Sequence, residues 1–278
     1  MSGAVHLEVV VAAAALAGAY AAAWRAAGAR GQPARVAAFM AALVALVGAL
    51  NGPLHDLAEG GLFSAHMTQH LILTLIVPPL LLAGTPEFMA DALLRPLLAW
   101  AATRRVLGTL TRPLPALAAW AVALFAWHLP APYTAALGSH AVHFAQHATL
   151  TAAALLAWWP IASPSRRLPA LPHAAQILYV FVFGVPMTIV AAMITGAEHL
   201  LYPFPAPTVG GLTPLEDQRL GGVLMWVPAA IVPLVTFTAV FFRWAAAESE
   251  DRDEADDDVS GVDRPLAYPK QGSTLPSA

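Results

Sequence analysis

Ten histidines and no cysteine set the chemistry open to this chain. The run His66-Met67-Thr68-Gln69-His70 places two imidazoles four residues apart. On a helix they share one face, about 6 Å apart along the axis. His140, His143 and His147 are related by three, four and seven residues and form a second stripe two turns long. Two such stripes facing each other across a bundle, with His128 nearby, would surround a transition-metal ion with imidazole nitrogens. Without a thiol, further donors must be carboxylate or thioether. Asp217 and Met225, eight residues apart near the start of a late helix, are the candidates. Asp217 is open to three readings: ligand, partner orienting an imidazole, or acid complementing a helix N-terminus. The candidate metal set is thus His66, His70, His128, His140, His143, His147, Asp217 and Met225. His6, His55 and His173 read as interfacial or packing histidines.

The elements that must hold these residues are membrane helices. The chain is 58% hydrophobic and only 11% charged over 278 residues, against about 25% charged in soluble proteins. Apolar runs of bilayer-crossing length recur. The fold class expected is all-α: a polytopic membrane protein with seven spans, near 4–24, 36–51, 66–84, 115–130, 139–160, 173–196 and 219–243. The first run has no Lys or Arg before it, so it reads as a retained span and not a secretory signal.

Basic residues orient the bundle. The first, third and fifth connections hold Arg25, Arg30, Arg35, Arg95, Arg104, Arg105, Arg112, Arg166 and Arg167; the even connections hold Arg219. By the positive-inside rule the N-terminus is outside and the C-terminus cytoplasmic. Every histidine except His173 then falls at the outer ends of the spans or in outer loops. A metal site there suits uptake or release at the outer face of a multi-pass plasma membrane protein.

The transmembrane domain is expected over 1–245. Within it, Thr85-Pro86-Glu87 reads as a helix start, with Thr85 as N-cap. An interfacial helix near 86–105 follows, kinked or divided by Pro96. Pro78-Pro79 should break the ladder of the third span and free carbonyls that need protein partners. Thr213-Pro214-Leu215-Glu216 reads as a capping box, and Gly221-Gly222 as room for a neighbouring helix or a ligand. Trp127, Tyr133, Trp158, Trp159, Tyr202 and Trp226 read as interfacial aromatics. The acidic, Pro/Gly/Ser-containing stretch 246–278 is expected to be a disordered cytoplasmic tail.

HMTQHL, PPLLLAGTP, WHLPAPYTAAL, H-x-x-Q-H, WWP, LYPF and DQRLGGVLMWVP follow in an order that resembles the multispanning CtaG-type cytochrome c oxidase assembly proteins of bacteria. The single-span copper protein that has shared that name is a different molecule. The resemblance runs from about residue 50 to 243. It implies a non-enzymatic assembly factor for a haem–copper oxidase that supplies copper at the outer face of the bacterial inner membrane. Its partners would be cytochrome c oxidase subunits and other copper chaperones. The motif positions are His66, Gln69, His70, His128, His143, His147, Asp217 and Gln218. Phe204 in LYPF stands where an aromatic hydroxyl is expected.

Two other classes remain open at this level. A membrane cytochrome could ligate haem through two histidines such as His70 and His147. A metal-dependent membrane hydrolase or transporter would need a general base beside the metal, for which Asp217 is the candidate. No nucleotide-binding loop is present, and no nucleic-acid partner is expected.

Overall fold

The computed structural model describes residues 6–29, 31–202 and 211–262, with side chains up to residue 249. Arg30 and Phe204 therefore lie outside the described residues. All regular secondary structure among these residues is helical. The chain begins with α1 (Leu7–Ala26), α2 (Pro33–Leu50), α3 (Pro53–Glu59) and α4 (Phe63–Leu71). A π-helical segment Ile72–Ile76 joins α4 to α5 (Val77–Gly84). Then come α6 (Glu87–Ala99), α7 (Ala101–Leu110), α8 (Pro113–Trp127), α9 (Pro130–Gly138) and α10 (His140–Ala162). The last helices are α11 (His173–Phe183), α12 (Val185–Thr195) and α13 (Pro214–Val262).

Five helical stretches are long and apolar enough to cross a membrane: Leu7–Ala26, Pro33–Glu59, Phe63–Gly84, His173–Thr195 and Pro214–Ser249. The pair α7 and α8, bent by 77°, makes a sixth if counted as one span. The expected fourth span is thus α8, only 15 residues long. The expected fifth is α10, which has 23 residues. Gln146 and His147 lie within even its most apolar stretch, and α10 is not among the helices apolar enough to cross. The central element is Phe63–Gly84, buried over 61% of its apolar window against 11% for Leu7–Ala26.

That central element bends where the sequence requires it. Pro78 has no N–H to give the carbonyl four residues back, Thr74. Val77 N–H bonds to Ile72 O, five residues back, producing the π turn. Trp158 Nε1 then donates to Thr74 O at 2.9 Å. Trp158 is therefore not an interfacial aromatic but a buried donor. Tyr133 and Tyr202 are likewise in the core, 0% and 1% exposed, stacked around Phe63. Tyr202 Oη donates to His128 O at 2.8 Å, which satisfies its hydroxyl inside the core.

Glycines permit the tightest contacts. A Cβ on Gly221 would meet the Phe63 ring of α4, and one on Gly222 would meet Thr195 at the end of α12. The room at Gly221-Gly222 is filled by neighbouring helices, which brings α13 against the start of α4. The Thr213 capping box forms as expected: Thr213 N–H and Oγ1 reach Glu216 Oε2 at 2.7 and 2.8 Å, and Glu216 N–H reaches Thr213 Oγ1 at 3.3 Å.

Three local expectations are corrected. Thr85 does not cap α6, because its hydroxyl bonds back to Leu81 O at 2.7 Å and Pro86 occupies the cap position. Pro96 lies inside α6, and the helix divides four residues later at Trp100. α13 continues through the acidic run to Val262, whereas the sequence suggests an unstructured tail from about 246. Ala245–Ala247 and Glu248 are good helix formers that carry the helix past Trp244. Residues 263–278 lie outside the described set.

Candidate metal centre

α4 and α10 bring the two histidine stripes face to face. His66 and His70 are 1% and 3% exposed, and their Nε2 atoms are 2.8 Å apart. His147, one turn below His143 on α10, joins them: donor nitrogens of His66, His70 and His147 all lie within 4.8 Å of one another. The His143 ring stacks on His66 with centroids 5.0 Å apart and lies 4.3 Å from His147. His128, at the C-terminal cap of α8, faces His70 edge-on at 5.7 Å. Tyr133 closes the cluster against His66 at 5.4 Å.

The donors suit a cation. Among the described residues, His70 Nδ1, His128 Nε2, His143 Nε2 and His147 Nε2 are buried without a hydrogen-bond partner. Such orphans are rare in folded proteins, because each forfeits its hydration. At His128 the tautomer follows from geometry. Nδ1 lies 2.7 Å from Leu124 O and must donate, so the neutral ring presents a bare lone pair at Nε2. Both ends of the Gln146 carboxamide, beside His147, are buried and unpartnered as well. Nitrogens bonded to one ion at about 2.0–2.1 Å lie at most about 4.1 Å apart. The His66 and His70 nitrogens, 2.8 Å apart, already lie inside that limit.

The remaining predicted residues sit elsewhere. Asp217 accepts the Phe63 N–H at 2.7 Å and the Ser64 N–H at 3.2 Å. It therefore caps α4 from across the bundle, fixing the start of the helix that carries His66 and His70. Gln218 holds the chain after α12, accepting Leu201 N–H at 2.8 Å and donating to His199 O at 3.3 Å. Met225 is buried in the apolar core with Phe63 and Met67. His140 is separated from the triplet, its ring parallel to His6 at 5.7 Å.

Two histidines read from sequence as packing residues belong to this region. His55 Nε2 lies 2.7 Å from His6 Nε2, and its Nδ1 lies 3.1 Å from Gln69 Nε2. The available signal was the spacing of His55 and Glu59, one helical turn apart. His6 gave no sign of its partner His55, which comes from 49 residues away.

The fold and the cluster define a class: all-helical proteins with several helices long and apolar enough to cross a membrane and a buried, carboxylate-free imidazole cluster among them. Residues 18–247 match the model of the cytochrome c oxidase caa3 assembly factor family, Caa3_CtaG. The chain belongs to that family. No curated protein and no solved structure matches it.

Proposed function

We propose that this assembly factor binds copper as cargo at His66, His70 and His147, with His143 and His128 adjoining, and passes it to a haem–copper cytochrome c oxidase. The observation that carries this reading is the buried imidazole triplet surrounded by nitrogens with no hydrogen-bond partner. Imidazole accepts copper in either oxidation state. The lack of cysteine in the chain keeps affinity moderate enough for release. Asp217 supports the site through the backbone of α4 and is not a ligand in this reading, and neither are His140 and Met225.

The orientation proposed is N-terminus outside and C-terminus cytoplasmic, from the arginine distribution. α8 with α7, and α10, then complete seven crossings. The cluster faces outward, where the partners are oxidase subunits and the chaperones that load copper.

The geometry disfavours haem. The rings of His66, His70 and His147 lie 4.4 to 5.5 Å apart, packed on one another without a slot for a macrocycle. Hydrolysis is disfavoured because Asp217 is already engaged with two backbone N–H groups.

Oxidase activity in cells lacking the gene tests the reading. The intact gene should restore activity, and His66→Ala with His70→Ala should not, unless the medium carries excess copper. Full restoration by the double variant at trace copper would refute it.

A further inference from the structure

A second set of donors lies near the buried cluster. His6, just before α1, and His55 and Glu59, one turn apart on α3, each offer a ligand atom within 4.8 Å of the others. His55 Nε2 is 2.7 Å from His6 Nε2 and 3.3 Å from Glu59 Oε1. The side chains of His55, His6 and Glu59 are 6%, 17% and 45% exposed. The set is thus closed on the imidazole side and open on the carboxylate side.

A cavity of about 660 Å³ between α1, α2, α5 and α10 joins this set to the buried cluster. Its walls include His6, His55 and Glu59, and also His143 and His147. The rim is chemically unlike the interior: the buried triplet is imidazole alone, whereas the rim adds carboxylates. Mixed nitrogen and oxygen donors with negative charge suit a divalent transition-metal ion.

We propose that His6, His55 and Glu59 form a second cation site, at the cavity rim, for a divalent transition-metal ion. Glu8 completes it. Its Oε1 lies 2.7 Å from His6 Nδ1, so the proton rests on Nδ1 and Nε2 is left bare for the ion. This is the carboxylate–histidine–metal arrangement that fixes tautomer and ring orientation.

Gln69 couples the rim to the interior. Its Nε2 reaches both Ala49 O, at 2.7 Å, and His55 Nδ1, at 3.1 Å, while its Oε1 is buried without a partner. Once His55 Nε2 carries an ion, its proton sits on Nδ1, and the Gln69 NH2, which faces that nitrogen as a donor, has to shift away from it while keeping its bond to Ala49 O. Gln69 adjoins His70, so occupancy of the rim reaches the helix that bears the inner cluster.

The rim site needs only its own donors and does not depend on copper at the inner cluster. The test is Cu2+ titration of the full-length protein in detergent, with bound metal counted after desalting and ligands read by electron paramagnetic resonance. His66→Ala with His70→Ala should retain one equivalent showing nitrogen couplings. Adding His6→Ala and Glu59→Gln should remove it or weaken it at least tenfold. In the otherwise intact protein, the rim pair of substitutions alone should lower the stoichiometry by one. Unchanged stoichiometry and affinity on adding the rim substitutions, in either background, would overturn the proposal. Failure of the inner copper site is read separately, by comparing the intact protein with the His66/His70 variant.

Discussion

Trp158 Nε1 donates to Thr74 O, the carbonyl that Pro78 leaves without its helical partner. One turn above Thr74 is His70, whose carbonyl accepts the Thr74 hydroxyl at 2.6 Å. The indole of α10 thus stabilises the break that allows the His66–His70 helix to meet the His143–His147 helix. Trp158→Phe keeps the ring and removes the donor. A buried carbonyl left unsatisfied costs about 1–3 kcal/mol, so unfolding in detergent should shift by that amount. Trp159, which donates instead to Leu168 O in the loop after α10, is the comparison. Trp159→Phe should leave copper affinity unchanged.

Asp217 separates a capping role from a ligand role. Asp217→Asn keeps an acceptor for one of the two N–H groups, best spent on the shorter bond from Phe63, and loses the one from Ser64, so it should cost less stability than Asp217→Ala and retain most copper binding. Asp217→Ala leaves both donors buried and should destabilise the protein by roughly 1–3 kcal/mol, with weaker copper binding as α4 frays. Copper binding lost equally in both variants, with stability intact in Asp217→Asn, would make Asp217 a ligand.

Gly221 and Gly222 predict a packing effect with a built-in control. Gly221→Ala drives a Cβ into the Phe63 ring, with Met67 Cγ 3.2 Å away, and Gly222→Ala meets Thr195 N at 2.8 Å. Each should cost about 1–3 kcal/mol. Gly108 in α7 has nothing within 4 Å of a built Cβ. Gly108→Ala should be neutral or stabilise by up to about 1 kcal/mol.

The helical stripes were legible because they are local. Residues three and four apart share a face whatever surrounds them, so His66 with His70 and His143 with His147 could be paired from spacing alone. The Thr213–Glu216 box and the effect of Pro78 were legible for the same reason. Contacts across the sequence were not. His6 finds His55 across 49 residues, and Trp158 finds Thr74 across 84, separations that no local spacing reports. His140 shares a stripe with His147 by count, yet as the first residue of α10 it lies beside His6. The seven spans read from the sequence exceed the five or six helical stretches that are long and apolar enough to cross, and α10, which carries Gln146 and His147 in its length, is the one that falls short.

The central claim is that copper sits among the imidazoles of α4 and α10. X-ray absorption of the copper-loaded protein, carrying His6→Ala and Glu59→Gln so that the inner cluster alone is read, tests it most directly. The account predicts about one copper per chain in a shell of three or four nitrogens at roughly 2.0–2.1 Å, close to other metal–imidazole bonds, and loss of that copper in His66→Ala with His70→Ala. The same copper content and the same nitrogen shell after removal of His66 and His70 would contradict it.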